Sequence, residues 1–321
     1  MYQEFFGLQA MPFELAADPK YLYRSAGHAE ALANLQYGLS AAKAITLLIG
    51  EAGTGKTTLL NAALSADMCR QVRSVCISNP TLTRSEFIEL LALRFDLSSR
   101  ASQSKTALLS ELEAVIRDRR ARGEITGLIV DEAQSLSSDL LEEFRLLANL
   151  ESGSSKLLPL VLLGQPELAV RLESGDLRQL KQRIALRCDL LPFTLSETVG
   201  YVATRIRSVG GDPTRLFTRD AMILIHEHSR GIPRTINVLC DNVLVQAYAL
   251  GRSIVDSAMV LDVCRDFRTT PRGQETDHGD AGRHATLSPN AAAPVDDSNA
   301  TSPGMTTLGA RVLREVAQAN R

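Results

Sequence analysis

Tryptophan is absent from this chain, and 6 tyrosines and 9 phenylalanines are all the larger aromatics it has in 321 residues. Aliphatic side chains must therefore fill the core, and with 45% of residues hydrophobic there are enough for one substantial core and a smaller one. No run approaches the roughly 18 apolar residues that a membrane-spanning helix needs. The opening MYQEFFGL has no basic stretch ahead of an apolar one, so neither a signal peptide nor a transmembrane segment is expected and the default compartment is the cytoplasm. Charge of either sign is not in excess: a net −2 argues against a dedicated nucleic-acid or membrane-surface binder, while leaving room for a local basic groove. The five cysteines (Cys69, Cys76, Cys188, Cys240, Cys264) form no CxxC pair and have no histidine at zinc-ligand spacing, which excludes a zinc module; they read as reduced core thiols.

Short apolar runs alternate with longer amphipathic ones, the pattern of an α/β fold with a parallel sheet flanked by helices. Strands are expected at 44–49, 72–78, 126–131, 157–163 and 184–190, and helices at Lys56–Ala66, Arg84–Phe95, Lys105–Arg120, Leu136–Leu150 and Glu167–Leu172. Beyond Pro192 strand-like runs cease, and helical segments near 196–209, 218–228, 233–249 and 255–266 predict a small all-helical domain. The expected organisation is a nucleotide-binding domain over 1–192, a helical lid over 193–268 and a tail over 269–321. Thr269–Thr307 is too poor in large apolar residues to repay the entropy of ordering, and Leu308, Val312, Leu313 and Val316 mark either a frayed helix or a docking peptide at the end.

The chemistry-bearing residues cluster at the ends of the expected strands. LLIGEAGTGKTTLL reads as strand, glycine-rich loop and helix, and contains Gly50, Glu51, Ala52, Gly53, Thr54, Gly55, Lys56, Thr57 and Thr58. Glycines let such a loop curl until several N–H groups face one anion, and the helix that follows adds its positive end. Lys56 is suited to β- and γ-phosphates and Thr57 to Mg²⁺, which makes this a Walker A loop. About 75 residues further on, Leu128-Ile129-Val130 delivers Asp131 and Glu132 to the same edge. Asp131 is expected to hold the metal through water and Glu132 to polarise the attacking water, the Walker B roles. Gln165, at the end of LVLLG, either orients that water or caps the next helix. Among Arg178, Lys181, Arg183 and Arg187, an arginine finger for a neighbouring subunit is sought first at Arg183 and then at Arg187, against the alternative of a solvated charged face. Arg234, after Gly231-Ile232-Pro233, either reaches back to the γ-phosphate or is a plain surface residue. His28 and Tyr23 read equally as base contacts, as a packed aromatic or as a helix cap.

These stretches, with MPFELAADPKYLYRSAGHAEAL, LIVDEAQSLSSDLLEEFRLLANLES, LVLLGQPEL and SRGIPRTINVLCDNVLVQAYALG, resemble the ExeA/GspA-type secretion ATPases of the AAA+ superfamily almost throughout the ordered part. The resemblance implies a five-stranded parallel core followed by a helical lid, ATP with Mg²⁺ as cofactors, and a homo-oligomeric ring. It supports Lys56, Thr57, Asp131, Glu132 and Arg234 in the roles above and Arg183 more loosely. Ala52, where the family often has valine, should leave phosphate binding intact because that position contributes backbone. In the family's secretion members a membrane span and a peptidoglycan-binding module follow the ATPase; with neither found here, the expected function is an ATPase that assembles or remodels a secretion, pilus or exopolysaccharide-export complex. The rivals are a DNA-associated ATPase similar to transposition regulators, and a nucleotide switch that hardly turns over.

Overall fold

The computed structural model describes residues 1–15, 19–78, 81–152 and 155–266. Its centre is a five-stranded parallel sheet of β1 (Ile45–Gly50), β2 (Val72–Ile77), β3 (Ile125–Val130), β4 (Leu160–Gly164) and β5 (Ile184–Leu190), in the spatial order β2-β3-β4-β1-β5. Strands β1, β3 and β4 are buried along their whole length, the signature of a sheet covered on both faces. Alternate residues part to the two sides. Ile45, Leu47, Leu128, Val130, Leu160 and Leu162 pack on Phe87, Leu91, Leu112 and Phe144, whereas Leu48, Ile129, Val161 and Leu163 pack on Leu35, Leu39 and Leu59. Each fully buried aliphatic side chain of this kind contributes about 1.5–3 kcal/mol, so the three central strands secure the platform on which the loops stand.

Helices start where the sequence offers a hydroxyl cap. Ser25, Ser104, Ser137 and Thr218 each accept a backbone N–H, and Thr83 with Glu86 and Thr194 with Glu197 form reciprocal capping boxes. The helix Ala26–Ser40, not among the expected ones, covers one sheet face through Ala31, Leu35 and Leu39. The helix expected at Leu136–Leu150 is shorter, Ser138–Leu147, because Ser137 caps it and a 3-10 turn at Ala133–Ser135 precedes it. β4 begins at Leu160 rather than Leu157: Pro159 interposes, although Leu157 and Leu158 are still buried.

Among the described residues after β5 every element is helical: Leu195–Ser208, Pro213–Leu216, Arg219–Ser229, Pro233–Ala249 and Ser257–Asp266. These helices have a separate apolar core that includes Val202, Ile206, Ile225, Leu239, Val243 and Val260. The N-terminal segment joins that core, not the sheet's, through Tyr2, Leu8 and Phe13, and the Tyr2 hydroxyl donates to Asp241 at 2.5 Å. Four of the five cysteines are buried thiols as expected, but Cys76 is exposed; β2 is an edge strand in which Ile77 alone is buried. The tail over 269–321, including its composition-based disorder and its terminal apolar face, lies outside the described residues. Among the described residues no helix is long and apolar enough to cross a membrane.

Candidate functional site

β1, β3 and β4 are neighbours in the sheet, so the three loops leaving their C-terminal ends converge. The loop after β1 turns through Gly53 (φ 83°) and Gly55 (φ 99°), left-handed positions that glycine adopts without a Cβ penalty. The helix Lys56–Leu64 then starts at Gly55 with no side-chain cap, which leaves its first-turn N–H groups and positive end to face an anion. Lys56 is 5% exposed, and its ammonium donates to the Gly50 and Glu51 carbonyls at 2.8 and 3.0 Å. Burial lowers its pKa, partly offset by the nearby Glu132, Asp131 and Glu167 carboxylates. Thr54 is buried and its hydroxyl donates to the Glu51 carbonyl, tying the loop internally, while Glu51 and Ala52 are exposed.

The Thr57 hydroxyl donates to Asp131 Oδ2 at 2.8 Å, so the two residues expected to share a metal are in contact across the β1 and β3 loops. A hydroxyl beside a carboxylate is the hard oxygen donor set that suits Mg²⁺, which usually takes one or two protein ligands and completes its shell with phosphate and water. Asp131 Oδ1 also accepts the Glu132 N–H at 2.9 Å, and Glu132 is held at φ 56°, a left-handed conformation uncommon for a non-glycine residue. Glu132 Oε2 accepts from the side-chain amides of both Gln134 and Gln165, the latter at 3.0 Å. Partial burial pushes the Glu132 pKa up, but these two donors and the Lys56 charge outweigh it, and the net shift is downward. Glu132 is thus ionised and aimed at neutral pH. Gln165 occupies the N-cap position of the helix Pro166–Leu172 yet makes no side-chain cap bond; its amide goes to Glu132 instead.

Gln134 went unnoticed in the sequence. Its side-chain oxygen accepts the Gln165 N–H at 3.1 Å, and its carbonyl accepts from Arg171 at 2.7 Å, so one amide locks the β3 and β4 loops together. The only hint was its place two residues after Asp-Glu.

From the helical region, Pro233 opens the helix Pro233–Ala249 and the Arg234 N–H donates to the Gly53 carbonyl at 3.2 Å. A Cβ on Gly53 would lie 2.7 Å from Arg234 Cβ. Arg234 therefore stands directly against the phosphate loop, and with Gly53, Gly55, Lys56, Thr57, Thr58 and Glu132 it lines a cleft of about 320 Å³. Further residues of that wall are Tyr21, from the segment Pro19–His28 whose aromatic and histidine side chains suggest base contacts, and Tyr201, Arg205 and Asn237, which no local pattern in the sequence links to it.

His28 and Tyr23 resolve toward packing. The buried His28 ring bridges the Ser25 hydroxyl at 2.8 Å and the Thr54 carbonyl at 3.2 Å and lies on Phe193, while Tyr23 packs edge-on against Phe193 and Tyr201. The cap of that helix is Ser25. Arg183 is exposed just before β5 and does not line this cleft; Arg187 is paired with Asp189.

A model of the AAA domain matches residues 40–172. General secretion pathway protein A of Aeromonas hydrophila is 42% identical over 255 residues, which covers 78% of this chain and 46% of that protein, so the chain spans about half the length of this relative. Among solved structures, the Aeropyrum pernix ORC2 protein, in ADPNP-ADP complexes, superposes with a TM-score of 0.59 at 20% identity over 80% of this chain and 72% of that one. Drosophila ORC bound to DNA does so at 0.61 and 18% identity, over 84% and 66%. At such identities the structural likeness speaks for the fold alone. The loop, the paired carboxylates, the β2-β3-β4-β1-β5 sheet and the long sequence match together place the chain in the AAA+ P-loop ATPases, in the ExeA/GspA-type branch that includes general secretion pathway protein A.

Proposed function

We propose that the chain binds ATP with Mg²⁺ in this cleft, hydrolyses it, and uses the cycle to assemble or remodel a secretion, pilus or exopolysaccharide-export complex. The observation that carries the enzymatic part is the meeting of an uncapped helix start and buried Lys56 with the Thr57–Asp131 pair and a Glu132 carboxylate gripped by two amides. Backbone N–H groups and Lys56 hold the phosphates. Mg²⁺, held by Thr57 and Asp131, would neutralise charge on the phosphate oxygens. Glu132 draws on the proton of the attacking water, and Gln165 fixes the carboxylate's direction. Arg234 reads the nucleotide from the helical region, residues 193–268, which acts as a lid. The client class is supported by the name of the relative matched over 78% of the chain.

Hydrolysis in this scheme is completed in a ring. Arg183, exposed and outside its own chain's cleft, is the residue we assign to a neighbour's active site, where it offsets transition-state charge. The test is ATP turnover of the purified chain with and without Mg²⁺, and with either duplex DNA or membrane extract. Magnesium-dependent turnover that Lys56→Ala abolishes by weakening nucleotide binding about 10- to 100-fold supports the reading, as does an Arg183→Ala chain that binds ATP normally and hydrolyses it slowly. No magnesium-dependent affinity for adenine nucleotides sinks it. Stimulation by DNA alone overturns the export role.

A further inference from the structure

An open cleft of about 580 Å³, sharing no residue with the nucleotide cleft, runs along the free side of the edge strand β2. It is lined by Val72–Val75 together with Arg94, Arg119 and Glu124. Arg94 ends the helix Arg84–Arg94, and Arg119 is in the last turn of the helix Lys105–Ala121. Arg73 is paired with Glu124 at 3.0 Å, whereas among the described residues neither Arg94 nor Arg119 is in an ion pair; Arg119 lies 5.7 Å from the Phe95 ring centre. Three cations and one carboxylate thus form the local basic groove for which a net charge near zero leaves room.

The backbone of β2 decides which anion fits. The Gln71 carbonyl accepts from the Ile125 N–H and the Ile77 carbonyl from the Asp131 N–H, each at 2.9 Å, so the odd-numbered residues of β2 bond to β3. Strand groups alternate with period two, which turns the N–H and C=O groups of Val72, Ser74 and Cys76 to the side where β2 has no neighbour. A phosphate backbone offers such a row acceptors alone, whereas a peptide offers donors and acceptors at the matching spacing. Val75 and Ile77 point to the sheet face packed on Phe87 and Leu112, whose two helices also carry Arg94 and Arg119. A strand laid beside β2 turns every second side chain to that face. We infer that β2 accepts an extended acidic segment of a partner protein as a sixth strand, with its backbone on Val72, Ser74 and Cys76 and carboxylates at alternate positions on Arg94 and Arg119. A second copy of β2 is a poor occupant, because it brings three arginines against their own like. The site goes beyond the ATPase reading and does not depend on it.

The experiment titrates the full chain at low salt with short capped, fluorescent peptides: glutamate alternating with threonine, the same residues with the glutamates in one block, and glutamine replacing every glutamate. The alternating peptide should bind with a Kd below about 1 mM, and the other two about fivefold or more weakly. Replacing both arginines, Arg94→Gln with Arg119→Gln, should weaken the alternating peptide about 5- to 20-fold. Ser74→Pro removes a donor from the free side alone, so it spares the bonds to β3 and should cost about tenfold. If that variant does not fold, two alternating peptides replace it, one methylated on the glutamate nitrogens and one on the threonine nitrogens; an added strand pairs on one side, so only one of them should lose binding to the wild-type chain. Equal binding of the alternating and blocked peptides, no loss in Ser74→Pro (or in either methylated peptide), or no binding at about 1 mM overturns the inference, and in the last case the arginines merely guard the edge. So does a single-stranded oligonucleotide of equal charge that binds the same arginines more tightly, or a dimer in sedimentation that Ser74→Pro makes monomeric.

Discussion

The two parts of the cleft are built by different means. The phosphate part is mostly one loop, with two left-handed glycines and a lysine on that loop's own carbonyls, to which β3, two places along the sheet beyond β4, adds the carboxylates. The other part is assembled from side chains drawn from Tyr21, Tyr201, Arg205 and Asn237, brought together only by the helical region and the segment preceding the sheet. Chemistry that every P-loop protein shares can be encoded in a contiguous loop, whereas recognition of the rest of the ligand depends on tertiary placement and is free to differ from chain to chain.

The sharpest way to break this contrast is Glu132→Gln. If the phosphate part is self-sufficient for binding and Glu132 acts only on the water, turnover should drop about 100-fold or more while ATP affinity holds, as seen by comparing single-turnover rates with equilibrium binding. Unchanged turnover would make the chain a nucleotide switch. Gly53→Ala probes the seam between the two parts. A Cβ at φ 83° that also meets Arg234 Cβ at 2.7 Å should cost about 1–3 kcal/mol in denaturant unfolding; an unaltered midpoint would mean that the loop and the helix Pro233–Ala249 are not packed together in solution. The smallest effect is expected at His28, which supports the loop from behind. Burial holds its pKa below the usual histidine value, with the Thr54 carbonyl and Glu197 offsetting only part of this. The unfolded chain therefore binds the proton more readily, so the contribution of His28 to stability is complete above about pH 6.5 and is lost as pH falls toward the folded value. The melting-temperature advantage of wild type over His28→Asn should narrow between about pH 7.5 and 5.5, and a constant gap would rule out a neutral, buried imidazole.

The same division governs what could be read without the fold. Strand positions and the phosphate loop were legible because each rests on short-range pattern: apolar alternation, glycine spacing, a carboxylate pair after a buried run. Gln165 was legible as a candidate, but that its amide donates to Glu132, with no bond spent on capping, is visible only in the fold. Gln134 and Arg205 were not, since a glutamine in a loop and an arginine on an amphipathic helix look like ordinary solvated residues until their neighbours are known. Cys76 departs from its expectation for a related reason: apolar surroundings in sequence do not reveal that its strand is at the sheet's edge. The helix Ala26–Ser40 is marked in the sequence chiefly by its cap, Ser25.

Tyr2, Leu8 and Phe13 are set among helices formed by residues more than 180 positions later. Ribosomal synthesis therefore delivers these side chains long before their binding partners exist, and they must wait, exposed, while the sheet assembles. The helical region can close its apolar interior only when both extremities of the described chain are available, so removing residues 1–15 would leave the phosphate loop and the paired carboxylates in place and still open a gap among those helices.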